Sequence, residues 1–261
     1  MIGFREATPD DAGAILALRQ RCFPEDDLAR PRPTRMFLAE DDGYPVAHLG
    51  FIPQTYVIGG NEYAGALAVD AMTDPEYRQQ GLFRRVAAFA RDAIRDQYAL
   101  STAWQIRPAV LGAMVATGWA PILRAPVLVK PLWRAVFQPV PAPYPAGRSL
   151  LANYAHVRLS PDRFDAPYYM CNETCVTRAT VLRGYRTMAI LDLTAKPFLP
   201  RTDPRIAAAL VTWRHPLLPL LLRSGFLPSP HLFRFLVNVF DTRIDAKRAR
   251  WALTWADTDH L

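Results

Sequence analysis

One junction constrains this chain more than any other. Residues 66–73, "ALAVDAMT", form an apolar run interrupted by a single acid, and "DPEYRQQG" (74–81) follows it as a turn. From Gly81 onward, Leu82, Val86, Phe89 and Ala93 recur at spacings of 4, 3 and 4. That spacing predicts an amphipathic helix over 81–96, with Arg84, Arg85, Arg91, Asp92 and Arg95 on its remaining sides. A strand that turns into a helix leaves the first helical N–H groups without internal partners, and the helix dipole favours an anion there. Gly81 lets a ligand approach the backbone, and arginines on both sides of it offer charge-assisted hydrogen bonds to phosphate oxygens. The junction therefore reads as a phosphate-binding anion pocket. No Gly-Lys-Ser/Thr is present, which excludes a Walker loop, and one glycine in place of three excludes a dinucleotide fingerprint.

The flanking pattern places this junction inside an alternation of strands and helices. "IGFREA" (2–7) reads as a strand, and "TPDD" starts a helix with Thr8 as cap, Pro9 at the first position and Asp10 and Asp11 complementing the dipole. Ile15, Leu18 and Phe23, with Ala12 and Cys22, give that helix its apolar side. After a proline- and charge-rich loop (24–35), residues 36–41, 45–60 and 61–73 read as successive strands, with Gly59-Gly60 as a hairpin turn. Beyond the 81–96 helix, 98–104 reads as a strand, 107–119 as a helix ending at Gly118, and 121–132 as a strand pair.

"QPVPAPYPAG" (138–147) cannot continue a helix or an interior strand. The expected division is a domain over 1–137, a proline-rich linker over 138–149, and a second domain over 150–261. The second part repeats some of the first: 111–132 is similar to 218–240, with Gly118-Trp119 matching Gly225-Phe226 and Pro121 matching Pro228. A strand over 185–195 precedes the second copy, and 249–257 is expected to close it.

At 261 residues and 51% hydrophobic content the chain can bury a large core. No run of eighteen apolar residues predicts a membrane span, and "MIGFREATPDD" lacks the features of a signal peptide, so the expected location is the cytoplasm. Three cysteines, Cys22, Cys171 and Cys175, do not make a disulfide framework, and with no His/Cys pair near the last two no metal is expected. A net charge of +7 without a lysine/arginine block points away from nucleic acid.

"DPEYRQQGLF" after a strand resembles motif A of the GNAT (GCN5-related) N-acetyltransferases, whose pattern is Gln/Arg-x-x-Gly-x-Gly/Ala; here the last position is Phe83 and not a small residue. The order of elements over 2–132 is similar to that family as well. The resemblance implies an α/β (α+β) fold: a mixed, mostly antiparallel sheet flanked by helices, with a second, shortened and degenerate GNAT-like half. It implies that Arg78, Gln79, Gln80, Gly81, Leu82, Phe83 and Arg84 wrap the pyrophosphate of acetyl-CoA or another acyl-CoA. It also implies that the backbone of Ala71, Met72 and Thr73 binds the pantetheine arm. The second half has no arginine-x-x-glycine loop, and "DPRIAAAL" (203–210) stands where one would be, so one cofactor site is expected.

Acyl transfer to an amine needs a group to take the ammonium proton, a donor for the carbonyl oxygen and a proton for the leaving thiolate. Asp70, an acid within an apolar strand, is the candidate base or amine anchor, with Glu62 weaker. The family's usual tyrosine is missing from 104–119, so Tyr56 is the candidate acid, with Tyr63 as its alternative. Asp257, Asp259, His260 and the Leu261 carboxylate form a tail read as frayed, and His48 reads as a satisfied strand histidine. The expected activity is acetyl transfer to a primary amine of a small molecule. A longer-chain transferase, fed by acyl-CoA or an acyl carrier protein and lined by Phe226, Leu232, Phe233 and Phe235, is one alternative. A non-catalytic CoA-binding scaffold is the other.

Overall fold

A computed structural model describes residues 1–24, 33–104, 108–131, 140–141, 169–171, 175–182, 185–193 and 206–255. The chain opens with β1 (Ile2–Glu6), a short turn of 3-10 helix at Pro9–Asp11, and α1 (Ala12–Cys22). Asp11 accepts from the Thr8 N–H at 2.7 Å, and both of its oxygens take Arg5 at 2.7 and 2.8 Å. Strand and helix start are thereby locked together, and the Arg5 guanidinium holds the Asp11 carboxyl well below the ordinary carboxylate range. Three strands follow: β2 (Arg35–Asp41), β3 (Tyr44–Ile58) and β4 (Asn61–Thr73). The junction comes next, leading into α2 (Leu82–Ile94), β5 (Leu100–Trp104), α3 (Pro108–Ala116) and β6 (Ala120–Pro131).

The later strands are β7 (Val140–Pro141), β8 (Tyr169–Cys171), β9 (Cys175–Leu182), β10 (Tyr185–Leu193) and β11 (Ile206–Leu210), then α4 (Leu218–Arg223) and β12 (Leu227–Val239). Among the described residues these strands make one sheet in the order β1-β2-β3-β4-β5-β12-β6-β11-β10-β9-β8-β7. The order is symmetric. Reading inward from either edge gives β1 to β5 then β12, or β7 to β11 then β6, so each strand has a counterpart on the other side. The two parallel pairs obey the same relation, since β4 pairs parallel with β5 and β10 parallel with β11.

The repeated segments sit at the centre of this symmetry. In both, a helix ends at a glycine with positive φ (Gly118 at 98°, Gly225 at 86°), a buried aromatic follows (Trp119, Phe226), and a long strand begins. These two strands, β6 and β12, pair antiparallel with each other, Ala125 opposite Phe233. Each half thus places its last strand against the penultimate strand of the other: β12 against β5, and β6 against β11.

Two readings of the sequence change. Residues 121–132 are one strand rather than a pair, because β6 serves two neighbours, β12 along most of its length and β11 over Val127–Pro131. The closing strand of the second half is β12. Residues 249–255 join the sheet only through the bridge Val211↔Thr254, and bury Trp251, Leu253 and Trp255 against one of its faces. The linker and the loop after α1 fall largely outside the described residues.

Packing divides by face. α2 and α3 cover one side of the first half, with Val86, Ala90, Ile94 and Met114 against Phe37, Leu49 and Ala66. α1 lies on the other side, with Ile15, Leu18 and Cys22 against Leu38 and Met72. Because β5 has β12 as one neighbour, a chain ending at residue 137 would expose that edge and the apolar residues beside it. Such a truncated protein is expected to collect in the insoluble fraction, with co-expression of residues 138–261 restoring a soluble pair. A soluble 1–137 fragment with a cooperative thermal transition would contradict this account.

Candidate functional site

The site is built where two strands part. β4 and β5 pair only over Gly65–Leu67 and Leu100–Thr102, yet β4 continues to Thr73 and β5 to Trp104. Among the described residues the β5 side of β4 has no ladder partner past Leu67, and β5 runs on paired with β12. The strands therefore splay into a V that opens toward the junction.

A bulge reshapes β4 at the same place. Residues Asp70 and Ala71 lie opposite the single residue Leu49, since the register shifts between His48↔Met72 and Gly50↔Val69. Asp70 takes φ 50°, uncommon for a residue with a Cβ. Its carboxylate pairs with the Arg19 guanidinium from α1, each side chain being 12% exposed. On the backbone side, His48 Nδ1 lies 2.8 Å from the Asp70 carbonyl oxygen. His48 is fully buried, and its Nε2 has no hydrogen-bond partner among the described residues.

Below the bulge α1 is fastened to the end of β4. Arg21 donates to Asp74 at 2.7 Å, and the Cys22 thiol donates to the Thr73 carbonyl at 3.3 Å. Asp74 also accepts from the Glu76 N–H at 3.1 Å, which shapes the turn at Pro75–Tyr77. Arg78 folds back to the Thr73 carbonyl at 3.3 Å. Two left-handed residues, Gln79 at φ 65° and Gly81 at φ 71°, then turn the chain into α2. The first helical bond of α2 runs from Arg85 N–H to the Gly81 carbonyl, so the N–H groups of Leu82, Phe83 and Arg84 precede it. Arg78, Gln79, Gln80, Gly81 and Arg84 are exposed, and a Cβ on Gly81 would meet nothing within 4 Å. This is an open, donor-rich helix start. Phe83, which breaks the small-residue pattern, is buried among Val86, Phe51 and Ala68, so it serves the core.

Not every residue expected here meets the others. Ala71, Met72 and Thr73 line the end of β4; Met72 points into the α1 core, while Ala71 packs on the α2 side. Tyr56 is buried, its ring under Gly65, where a Cβ would lie 2.5 Å from it. Its hydroxyl reaches Gln54 at 2.6 Å and Thr102 at 2.5 Å, so it stands at the closed vertex of the V. Thr102 pairs with Leu67, three residues short of Asp70, or about 10 Å along the strand. Tyr56 and Asp70 are therefore not brought within hydrogen-bond reach. Glu62 and Tyr63 lie farther still, beside the β3–β4 turn. Phe233 and Phe235 pack on Trp255, Trp104 and Trp251, and Phe226 on the α4 side, so these aromatics fill the core; Leu232 is exposed. Residues 257, 259, 260 and 261 lie outside the described residues.

Arg19 is the residue that sequence reasoning missed, and His48, read as a satisfied strand histidine, is bonded at Nδ1 only among the described residues. Arg19 is 51 positions from Asp70, and no periodicity links them. His48 had a signal, a lone histidine within the inward run "PVAHLGF".

Comparison with known proteins agrees with this architecture. A family model described as an acetyltransferase (GNAT) domain matches residues 3–120. A GCN5-related N-acetyltransferase from Kribbella flavida matches with TM-score 0.59 and 10% identity, over 92% of this chain and 72% of its own. Eis1 from Mycobacterium abscessus gives 0.59 and 11%, over 92% and 74%. A putative acetyltransferase from Pyrococcus horikoshii gives 0.59 and 12% over 98% and 95%, so its likeness in fold spans both halves. No curated protein gives a significant sequence match. Among the described residues, no helix is long and apolar enough to cross a membrane.

Burial pushes the His48 imidazole down from 6.5 to about 4, against the opposing effect of its bond to the Asp70 backbone. The unfolded chain therefore binds a proton that the native protein refuses. This contribution is fully present above pH 6.5 and is lost as pH falls toward 4. Urea unfolding at pH 7 and pH 4 should show roughly 3 kcal/mol more acid destabilisation in the wild type than in His48→Leu. Equal losses in the two proteins would mean that His48 is not held neutral.

Proposed function

We propose that this protein, whose residues 3–120 match the GNAT acetyltransferase domain, transfers an acetyl group from acetyl-CoA to a primary amine of a small molecule. One observation carries the reading: the V between β4 and β5 opens directly onto the exposed N-terminus of α2. A long thioester can then lie along β4 with its acyl end in the gap and its pyrophosphate at Gly81. In this reading the free N–H groups of Leu82, Phe83 and Arg84 and the Arg78 and Arg84 guanidinium groups hold the pyrophosphate. The β5 edge of Ala71, Met72 and Thr73, which has no ladder partner among the described residues, bonds the pantetheine amides, as an added strand would.

The chemistry is a direct attack. The amine nitrogen bonds to the thioester carbonyl carbon, the C–S bond breaks, and the sulfur leaves as a thiol once protonated. Asp70 stands on β4 at the mouth of the gap and anchors the ammonium or receives its proton through water, while its pairing with Arg19 orients the carboxylate. Tyr56, with its hydroxyl engaged at the vertex, braces the point where the strands diverge. The longer-chain alternative finds no opening at the aromatic residues considered for it, since those of β12 are packed.

Thermal shift tests the donor. Acetyl-CoA at a hundred times its dissociation constant should stabilise the protein by about 2.7 kcal/mol, a rise of a few degrees. Gly81→Glu, which places a carboxylate in the pyrophosphate position, should abolish the shift. A shift seen only with a long-chain acyl-CoA would replace the acetyl donor with a fatty one. No shift with any acyl-CoA, from folded wild-type protein, would remove the transferase reading. For catalysis, Asp70→Asn should lower kcat about 100-fold or more with little change in KM for acetyl-CoA, whereas Tyr56→Phe should keep most of kcat.

A further inference from the structure

We propose that His48 is a positioning residue of the transfer site, its Nδ1–H holding the Asp70 carbonyl and with it the bulged conformation of β4. The inference deepens the function just proposed and rests on it for the meaning of the site, although its structural core can be tested separately.

A carbonyl oxygen only accepts, so the 2.8 Å contact places the ring proton on Nδ1 and leaves Nε2 as a bare acceptor. That acceptor is buried and has no partner among the described residues, an arrangement that destabilises the fold. An apolar side chain of similar volume would fill the position without the penalty. What the histidine adds is the bond to Asp70.

The recipient of that bond is in an unusual state. Asp70 has φ 50°, and a residue with a Cβ stays there only when its surroundings hold it. Among the groups that do so are His48 from β3, on the carbonyl, and Arg19 from α1, on the carboxylate. The imidazole itself is closely fitted, since a Cβ on Gly50 would lie 3.2 Å from its Cε1. Asp70 immediately precedes Ala71, Met72 and Thr73 in the chain. Its backbone conformation therefore sets both where its own carboxylate points and how the proposed pantetheine-binding edge leaves the bulge. A shift of about 1 Å at such a place is enough to lower turnover by about 100-fold.

The test uses three substitutions that separate the two ring nitrogens. Asparagine puts its amide N–H near the position of Nδ1, glutamine puts its own near Nε2, and leucine offers neither. The expected pattern is a kcat lowered about 10- to 100-fold in His48→Leu and His48→Gln. His48→Asn should stay within a few-fold of wild type, and KM for acetyl-CoA within about two-fold throughout. Rescue by glutamine in place of asparagine, or full activity in His48→Leu, would overturn the proposal. So would losses of kcat that merely follow the fraction of protein unfolded at the assay temperature.

Two readouts need no substrate. Imidazole nitrogen shifts of the wild type should show Nδ1 protonated and Nε2 bare, and a crystal structure of His48→Leu should show Asp70 out of the left-handed region. An Nε2–H tautomer, or an Asp70 that keeps its positive φ in His48→Leu, would sink the inference. A wild-type protein that binds no acyl-CoA would count against the transferase reading alone, and these two readouts would still decide what His48 does.

Discussion

Everything in this molecule hangs on the antiparallel ladder between β6 and β12. It joins the two halves into one sheet, and it does so by interleaving, because each half closes against a strand supplied by the other. Backbone hydrogen bonds at this seam cannot be exchanged for water without exposing the apolar residues on both faces of the sheet. On one face lie Phe233, Phe235, Trp251 and Trp255 from the second half, packed with Trp104 and Leu67 from the first. The V between β4 and β5 depends on the seam as well. β5 can leave β4 at Thr102 because β12 pairs with it up to Trp104, so its other edge is never unsupported.

The bulge at Asp70 is the second constraint, and it is local. A flat, fully paired β4 would have no edge to offer and would carry its acid into an apolar layer. The bulge turns that acid toward α1, where Arg19 meets it, and frees the last residues of β4 on the β5 side. α1 is in turn held to β4 by Arg21 and Cys22, so helix, bulge and turn are fastened to one another. The helix start at Gly81 follows directly, with Gln79 and Gly81 supplying the left-handed steps that aim α2 at the end of the gap.

Much of this was legible from the residues. The spacing of Leu82, Val86, Phe89 and Ala93 marks α2 because a helix must bury one face, although the buried side runs through Leu82, Val86, Ala90 and Ile94 and leaves Phe89 exposed; the hairpin at Gly59-Gly60 marks itself by its need for positive φ. The small-Gly-aromatic repeat was visible for the same reason, as Gly118 and Gly225 both end helices in the left-handed region. What could not be read is long-range. Nothing local to 121–132 says that a strand with three prolines will run unbroken, because the reason is a pair of neighbours about 80 and 100 positions later in the chain. Arg19 could not be matched to Asp70 for the same reason. The surroundings of Tyr56 were hidden in a different way, since only the fold shows that its hydroxyl is engaged at 2.6 Å by Gln54 on its own strand.

The interleaved seam also sets a schedule. Trp104 and the first residue of β12, Leu227, are 123 residues apart. At about 5–20 residues per second, synthesis leaves β5 waiting roughly 6 to 25 s for its neighbour. For that interval the nascent first half carries an unpaired strand and an uncovered apolar face, the condition under which chains find the wrong partners. A protein built this way meets its greatest hazard before it is finished, and that hazard is set by topology rather than by the stability of the completed fold.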